Sequence, residues 1–266
     1  MPPAISLITL LTDFGDRDGF VGSMKGVMLN INPHARIVDL SHQVTPHQIE
    51  EAAYLLKSSY RYFPDGTVHV AVVDPGVGSA RRPLLVSTSR YYFLAPDNGL
   101  LTEIVHEELS VEVRRIENKQ YRLDAEGATF DGRDLFAPAA AWLTRGQAPG
   151  TFGPLIQDVT RLPSHEPVWE GPTFVGRIMY VDRFGNLISN ITPSHLSEIR
   201  RHSKRTSVVI RIVGKTIEDL TPRYADGSSG EPCALINSNG HVEVFVKEGS
   251  AAIMLNAGRG ERIEIT

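Results

Sequence analysis

A carboxylate, Asp74, and a guanidinium, Arg81, share a glycine-rich turn that follows an apolar segment. Residues 67–73 are mostly β-branched or apolar, which predicts a buried strand, and Pro75 brings that strand to an end. A carboxylate accepts hydrogen bonds and a guanidinium donates several, so the two groups could fix one water molecule between them. The simpler alternative is a surface ion pair.

Three further turns carry acidic or amide side chains at positions that could contribute to the same chemistry. These side chains are Asp13, Asp18, Asp131, Asp134, Asp182 and Asn186. Each has a simpler interpretation, as a solvated turn residue, a helix N-cap or part of a hairpin turn. Because ligands of open α/β sheets bind where strands end, repeated carboxylates at such turns nevertheless favour a binding site.

Other common chemistries lack their sequence patterns. The chain has neither a G-x-x-x-x-G-K-[ST] phosphate loop nor a G-x-S-x-G nucleophile elbow, which excludes the usual ATPase and serine hydrolase arrangements. The nine histidines show no metal-binding spacing, and the turn at Asp13 lacks the spacing of a calcium loop. The single cysteine, Cys233, excludes a Cys-based zinc site and an internal disulfide. We expect no metal and no cofactor.

Composition indicates a globular protein that acts on a small molecule. The 266 residues are 41% hydrophobic and 22% charged, enough for one large or two modest domains with a proper core. The net charge is −4 without blocks of like charge, so we expect neither a nucleic acid nor a membrane as partner. Residues 1–4 lead directly into a strand without signal-peptide features, and we predict a cytoplasmic location.

Strands and helices alternate in the first part of the chain. Residues 5–12 and 37–40 predict strands, and Phe20, Met24 and Met28 recur at helical spacing between them. Thr45 and Pro46 predict the start of a second helix, with Gln48 completing a capping box. The strand that leads to Asp74 follows. The order β-α-β-α-β favours a parallel sheet with right-handed crossovers.

The remainder of the first domain continues this alternation, and a proline-rich segment then separates a second domain. Strands are predicted at 83–87, 91–95 and 111–116, a short helix near Ile104, and a longer helix ending near Gly146. We predict an N-terminal α/β domain over 1–162 with a mainly parallel central sheet, a linker over 163–172, and a smaller C-terminal all-β domain over 173–266. The second domain's predicted strands, typical of a small barrel or sandwich, are 173–181, 187–191, 207–213, 233–236, 241–246 and 251–255.

Six short motifs, taken together, resemble one enzyme family. They are 11–15 (LTDFG), 74–78 (DPGVG), 96–99 (PDNG), 129–134 (TFDGRD), 182–186 (DRFGN) and 237–240 (NSNG). This set closely resembles the S-adenosylmethionine hydroxide adenosyltransferase family, whose relatives include the fluorinase and the chlorinase. The resemblance covers essentially the whole chain in the right order.

The resemblance implies hydrolysis of S-adenosylmethionine to adenosine and methionine, with water or hydroxide attacking the ribose C5′. S-adenosylmethionine is then the substrate rather than a cofactor. The family holds the attacking water with an Asp-Arg-His set, which matches Asp74, Arg81 and position 131. Asp13 matches the carboxylate that binds both ribose hydroxyls. Asp18 and Asp182 would contact the methionine end, with Asp182 facing its ammonium group.

The other implied contacts involve the nucleoside. Asn186 and the backbone around Ser238 and from Val246 to Glu248 would hold adenine. Phe130 and Phe184 would pack against the nucleoside. By the same resemblance, the protein is expected to be a homotrimer whose sites lie between the N-terminal domain of one subunit and the C-terminal domain of the next.

Asp131 is the departure from the family pattern, which has histidine at this position. An ionised carboxylate cannot donate the hydrogen bond that a neutral imidazole can, and it repels Asp74 unless Arg81 offsets the two charges. Three explanations remain open: an altered hydrolase with Asp131 as base, a substitution that inactivates the enzyme to trap ligand, and a natural variant that binds without turnover. Halide transfer is a separate alternative, against which the negative charge of Asp74 argues.

Overall fold

The computed structural model describes residues 5–124, 126–127 and 129–266, so residues 1–4, expected to lead into the first strand, lie outside it. The chain divides into two compact units, residues 1–162 and 163–266. This boundary coincides with the start of the segment predicted as a linker. Part of that segment is ordered as strand, because Val168–Glu170 pairs with Thr173–Val181.

The first unit is built on a mainly parallel sheet of six strands. They are β1 (Leu7–Thr12), β2 (Arg36–Ser41), β3 (Val68–Val72), β4 (Pro83–Ser87), β5 (Tyr92–Pro96) and β6 (Glu112–Arg115). Their order is β2-β1-β3-β5-β4-β6. The first four in this order are parallel, and β4 is antiparallel to both of its neighbours. The predicted α/β class with a mainly parallel sheet is confirmed.

Helices cover both faces of this sheet. They are α1 (Phe20–Ile31), α2 (Ile49–Ser59), α3 (Thr102–Glu107) and α4 (Ala137–Thr144), the last preceded by a π-helical turn, Gly132–Phe136. Alternate residues of β1 point to opposite faces. Leu10 packs with α1 and α4, whereas Leu11 packs in the core formed with α2 and α3. Single 3-10 turns occur at Tyr60–Tyr62, Lys119–Tyr121 and Pro149–Thr151.

Helix α2 begins later than the sequence predicts. The predicted capping box at Thr45 does not form, and the helix begins at Ile49 with Gln48 as its N-cap residue. His47 stands in the left-handed region, with a φ of 68°, so the chain cannot be helical there. The reason is a contact with the candidate site, described below.

The strand order reverses between β1 and β3. From β1 the chain moves to β2 on one side, and it then returns to β3 on the other side of β1. In open α/β sheets, ligands bind at the carboxyl ends of the strands next to such a reversal. Asp13 follows β1 directly, and Asp74 follows β3 after one further residue, Val73. The fold therefore puts these two carboxylates at the edge where a ligand is expected.

The second unit is an antiparallel sheet of eight strands with two helices. Its strands are β7 (Val168–Glu170), β8 (Thr173–Val181), β9 (Leu187–Ser189), β10 (Val209–Ile212), β11 (Lys215–Glu218), β12 (Pro232–Ile236), β13 (Val242–Val246) and β14 (Arg262–Ile265). The order is β11-β10-β14-β8-β9-β13-β12, with β7 added beside β8. The amide of Thr221, just beyond β11, donates to the carbonyl of Ala234 in β12 and nearly closes the sheet. The expected β fold is confirmed.

Both helices of this unit differ from the sequence prediction. Residues 251–255, predicted as a strand, form helix α6 (Ala251–Leu255), because the side chain of Ser250 accepts from the amide of Ile253 and caps a helical turn. Helix α5 (Pro193–Ser203) was not predicted, although Thr192 and Pro193 supply its N-cap and first turn. Strands β11 and β14 were also missed. A 3-10 turn lies at Tyr224–Asp226. None of the described helices is both long and apolar enough to cross a lipid bilayer.

Candidate active site

Residues 73–82, here called the Asp74 loop, join β3 to β4. Strand β5 lies between these two strands in the sheet, so the loop must cross over the carboxyl end of β5. Gly78 has a φ of 79°, a conformation that glycine adopts without steric cost. The loop thus carries Asp74 and Arg81 across the sheet edge where the strand order reverses.

Arg81 binds two carboxylates at once. Its Nε donates to Asp74 Oδ2 at 2.8 Å, and its Nη2 lies 2.5 Å from the same oxygen. The same Nη2 donates to Asp131 Oδ2. Asp74 and Arg81 therefore form a direct ion pair, and the pair is not on the surface, because their side chains are only 5% and 11% exposed.

Burial affects the pKa of Arg81 and the hydrogen bonding of Asp74. Burial by itself lowers the pKa of the Arg81 guanidinium, but the hydrogen bonds and charges of Asp74 and Asp131 outweigh it and hold that pKa above its usual value. The guanidinium is therefore permanently charged. Asp74 Oδ1 is buried and accepts no hydrogen bond from any described residue. One carboxylate oxygen is thus fixed by Arg81 while the other keeps its lone pairs free.

Asp131 reaches Arg81 from the π-helical turn that precedes α4. Insertions of this kind within helices often occur at functional sites. The turn approaches its surroundings closely at Gly132, where a Cβ would lie 3.0 Å from the Phe130 ring and 3.2 Å from Met24 Sδ. A side chain at position 132 would force these neighbours to shift.

Asp13 is held by a residue that the sequence analysis did not single out. The backbone amide of His47 donates to Asp13 Oδ2 at 2.9 Å. The positive φ of His47, which delays the start of α2, presents this amide to the carboxylate. Asp18 lies beyond on the same turn and is exposed, and no described residue holds it near Asp74.

Three phenylalanines line the turn between β1 and α1. The ring centroid of Phe130 lies 5.7 Å from that of Phe14 and 5.2 Å from that of Phe20, in edge-to-face geometry. Phe20 remains 45% exposed. Phe130 was predicted as a site residue, whereas Phe20 was treated only as a helix position. An aromatic residue directly after an acidic turn was the feature that could have identified it.

In the second unit, Asp182 and Asn186 organise the turn between β8 and β9. Asp182 Oδ1 accepts from the amides of Phe184 and Asn186, at 2.9 and 2.8 Å, and Oδ2 accepts from Asn186 Nδ2 at 2.9 Å. The hairpin-turn interpretation of these residues is therefore correct structurally. Phe184 projects from the turn and is 76% exposed.

The other predicted residues of this unit lie at both ends of β13. Leu187 pairs with Val244, which places Val246 and Glu248 at the same end of the sheet as the Asp182 turn. Ser238 lies in the turn between β12 and β13, at the opposite end. A strand of five residues spans ~17 Å. The structure thus brings Val246 and Glu248 to the Asp182 turn and separates Ser238 from them.

A buried acid between these ends was not predicted. Glu243 is 3% exposed and accepts from Tyr224 Oη at 2.6 Å and from Asn237 Nδ2 at 3.0 Å. Burial raises the pKa of its carboxyl and the charge of Asp182 adds to this, while the two hydrogen bonds oppose it. A glutamate inside the apolar run VEVFV was the sequence feature that could have revealed it.

Across the described ranges, no three His, Cys, Asp or Glu side chains group in a way that could hold a metal ion. The two carboxylates nearest each other at the Asp74 loop are bridged by Arg81 instead. What the arrangement can do is offer the buried Oδ1 of Asp74, which has no hydrogen-bond partner among the described residues, to a polar group of a bound ligand.

Comparisons with known proteins agree over almost the whole chain. The family model described as SAM hydroxide adenosyltransferase N-terminal domain matches residues 8–153, and its C-terminal counterpart matches residues 176–264. A crystal structure of an uncharacterized conserved protein from Thermotoga maritima superposes with a TM-score of 0.88 at 34% identity, covering 97% of this chain and 99% of that one.

Curated relatives carry two names. A protein of Methanocaldococcus jannaschii named (R)-S-adenosyl-L-methionine hydrolase is 34% identical, over 98% of this chain and 96% of the relative. A Salinispora tropica protein of the same name is also 34% identical, over 97% of each chain. A protein of Actinoplanes sp. named fluorinase is 28% identical, over 98% of this chain and 97% of its own.

Proposed function

The chain belongs to the SAM hydroxide adenosyltransferase family, and from this premise we propose that it hydrolyses S-adenosylmethionine to adenosine and methionine. Water attacks the ribose C5′ in line with the bond to sulfur, the C5′–S bond breaks so that methionine leaves as a neutral thioether, and the water passes its proton to the Asp74 carboxylate to which it is hydrogen-bonded. The relatives that are 34% identical bear the name of this hydrolase, whereas the fluorinase is more distant.

The observation that carries the proposal is the unpaired oxygen of Asp74. Arg81 fixes Oδ2 and leaves Oδ1 buried and free to accept a hydrogen bond. A water molecule that donates to Oδ1 directs an oxygen lone pair away from the carboxylate. We propose that this lone pair faces the ribose C5′ of the bound substrate. Orientation of this kind supplies much of the rate enhancement when the leaving group is already activated, as a sulfonium is.

The remaining predicted residues fit binding roles. Asp13, held by His47, is proposed to accept from the ribose hydroxyls, and Phe130 to pack against the nucleoside. Asp182 would face the ammonium of the methionine part, and Asp18 would contact the same part. The Asn186 side chain and the backbone near Val246 and Glu248 would hold adenine, with Phe184 packed on it. The backbone near Ser238 was expected to contact the same adenine, but it lies at the opposite end of β13, ~17 Å away, so one base cannot contact both ends of the strand in one copy.

We further propose a homotrimer in which each site is completed by a neighbouring copy. Phe184 is 76% exposed, and Ile253 and Met254 of α6 are 83% and 46% exposed. The amide of Ala252 donates to the carbonyl of Gly185, which places α6 directly beside the Asp182 turn. An apolar surface next to candidate binding residues is typical of an interface. The lone cysteine and the net charge of −4 favour a cytoplasmic protein whose partners are small molecules rather than nucleic acid or membrane.

Halide transfer, the activity of the more distant relatives, is disfavoured by charge. Asp74, Arg81 and Asp131 bear one positive and two negative formal charges, which leaves one negative charge beside the nucleophile. At ~4 Å and an effective dielectric constant of ~20, that charge raises the energy of an anion by about 4 kcal/mol. A neutral water is not repelled in this way.

The test is incubation with S-adenosylmethionine, followed by chromatography for adenosine and methionine. Because the names of the relatives specify the R form, the two sulfonium epimers are assayed separately, with and without added chloride or fluoride. We expect equal amounts of adenosine and methionine and no halogenated nucleoside. Absence of adenosine from both this chain and Asp131→His would refute hydrolysis, and calorimetric binding without turnover would then identify a binding protein.

The companion variant is Asp74→Ala. Arg81 keeps Asp131 as its partner in this variant, so no buried charge is left unpaired and the fold is retained. We expect hydrolysis to be lost while adenosine binds with nearly unchanged affinity in calorimetry. Loss of binding to the same degree as activity would mean that Asp74 has a structural role only.

A further inference from the structure

Two neighbouring side chains at the end of β5 hold both ends of the Asp74 loop. They are Asp97 and Asn98, and they belong to the 96–99 motif, to which no role has been given above. Because the loop crosses over the carboxyl end of β5, these residues lie beneath it.

Asn98 binds the first end of the loop. Its Nδ2 donates to the carbonyl of Val73 at 2.8 Å, the residue directly before Asp74. Its Oδ1 accepts from the amide of Leu100 at 3.2 Å, which fixes the side-chain orientation. One amide side chain therefore joins the end of β5 to the backbone that carries the reactive carboxylate.

Asp97 binds the other end. Its amide donates to the carbonyl of Arg82 at 2.8 Å, and its Oδ2 accepts from Arg82 Nε and Nη2 at 2.8 and 2.5 Å. Arg82 directly follows Arg81. The Asp97 side chain is 3% exposed, and its Oδ1 accepts from the amide of Thr160 at 2.8 Å, so the acid is fixed from behind as well.

We propose that Asn98 is a positioning residue for hydrolysis, which holds Asp74 at the height and angle needed to orient the attacking water, with Asp97 holding the Arg81 end of the loop in the same way. The proposal rests on the proposed function. A loop of this length that contains glycines at 76 and 78 has many accessible conformations, and contacts at its two ends restrict it. A misplacement of ~1 Å in a catalytic group can reduce the rate ~100-fold.

The test is the variant Asn98→Asp, which has the same shape and keeps the acceptor for Leu100 but loses the donor to Val73. We expect kcat to fall between ~10-fold and ~100-fold while KM for S-adenosylmethionine changes less than about twofold, because binding groups elsewhere are untouched. Asn98→Ser, whose side chain is too short to reach the Val73 carbonyl, serves the same purpose if the first variant does not fold.

Asn118→Asp is the matched control. Asn118 also donates its Nδ2 to a backbone carbonyl, that of Thr151 at 2.9 Å, and accepts at Oδ1 from the amide two residues on. Neither of these hydrogen bonds involves the Asp74 loop, so the same chemical change should leave kcat and KM unaltered. An unchanged kcat in folded Asn98 variants, or equal changes in kcat and KM, would overturn the proposal.

A crystal structure of Asn98→Asp separates this proposal from the proposed function. If the unaltered protein produced no adenosine, hydrolysis would be refuted, but the geometric claim would still be decided. Displacement of the Asp74 carboxylate from Arg81 Nε would support positioning by Asn98. An Asp74 loop superposable on that of the unaltered protein would overturn it.

Discussion

At the scale of single residues, the central feature is one guanidinium shared by two carboxylates. Arg81 holds Asp74 through Nε and reaches Asp131 through Nη2. The positive charge of Arg81 therefore offsets the charge of Asp131 as well as that of Asp74, which reduces the repulsion between the two carboxylates. Of the three explanations for this departure from the family's histidine, this arrangement is compatible with an altered hydrolase, but one in which Asp74 Oδ1 rather than Asp131 binds the attacking water, because Asp131 Oδ2 is held by Arg81.

Replacement of Asp131 by histidine should make activity depend on pH in a new range. In Asp131→His, a neutral imidazole can replace the carboxylate, but a protonated one places a second cation beside Arg81. The imidazole of a free histidine has a pKa of ~6.5, so we expect hydrolysis above this pH and its loss below, measured as kcat/KM against pH.

Asp131→Asn is the control for that profile. It keeps an oxygen that can accept from Arg81 but adds no group that titrates between pH 5 and 8. We expect the acid limb near pH ~6.5 only in the histidine variant. If kcat/KM falls at low pH with the same midpoint in the unaltered protein and in both variants, another titrating group causes the decrease.

At the scale of elements, the turn between β8 and β9 depends on a close approach. Gly185 has a φ of 81°, and a Cβ there would lie 2.0 Å from Ser250 Oγ. This contact, with the hydrogen bond from Ala252, fixes helix α6 against the turn that carries Asp182 and Phe184. The turn that carries the proposed binding residues Asp182 and Phe184 thus depends on the glycine at position 185.

The corresponding prediction compares two glycines with similar backbone angles. Gly240 has a φ of 76° but no heavy atom within 4 Å of its Cβ position. Gly240→Ala should therefore incur only backbone strain, ~1 kcal/mol, whereas Gly185→Ala adds a steric clash worth about 2 kcal/mol more. The free energy of unfolding in urea measures both, and equal losses would contradict the role given to the Ser250 contact.

The elements also show where sequence-based prediction succeeds and fails. Apolar periodicity was sufficient for β1, α1, β3 and the mainly parallel sheet, because burial on a sheet or helix face fixes the spacing of apolar residues. The capping-box pattern at Thr45 gave too early a start for α2, because His47 turns its amide toward Asp13 rather than entering the helix. Apolar periodicity failed at α6, where five apolar residues fit a strand or a helix equally well and the Ser250 cap decides.

The same limits apply to the site. Asp74 and Arg81 were predictable because a carboxylate and a guanidinium stood in one turn after a strand. The contacts from Asn98 to Val73 and from His47 to Asp13 were not, because both join residues far apart in sequence through backbone groups. Backbone donors and acceptors are present whatever the side chain, so residue type does not reveal which of them form such contacts.

At the scale of the whole molecule, β3 matters twice, because it contains the buried His69 and leads to Asp74. His69 of this strand is buried, its Nδ1 lies 2.7 Å from Thr9 Oγ1, and its ring stacks on Phe93. Burial lowers the pKa of His69 to about 3. The strand that leads to Asp74 therefore contains a histidine whose neutral form stabilises the folded state.

This burial predicts a loss of stability in acid. The unfolded chain binds a proton at His69 with a pKa of ~6.5 and the folded chain does not until about 3, so stability falls as the pH decreases between these values. The loss from this residue is about 2 kcal/mol at pH ~5. Free energies of unfolding at pH ~7 and ~5 measure it.

The double variant His69→Phe with Thr9→Val removes the titrating ring and its hydroxyl partner together. The difference between the two pH values should shrink by the stated amount in this variant. The exposed His34 offers a control, and His34→Gln should leave the difference unchanged. An undiminished difference in the double variant would mean that other groups dominate the acid response.

The central claim is that Asp74 directs a water molecule onto the ribose carbon of S-adenosylmethionine. The most direct measurement is mass spectrometry of the products formed in water labelled with heavy oxygen. We expect adenosine with the label in its 5′-hydroxyl, unlabelled methionine, and neither product from Asp74→Ala. Adenosine without the label, a label in the amino acid product, or full activity of Asp74→Ala would contradict it.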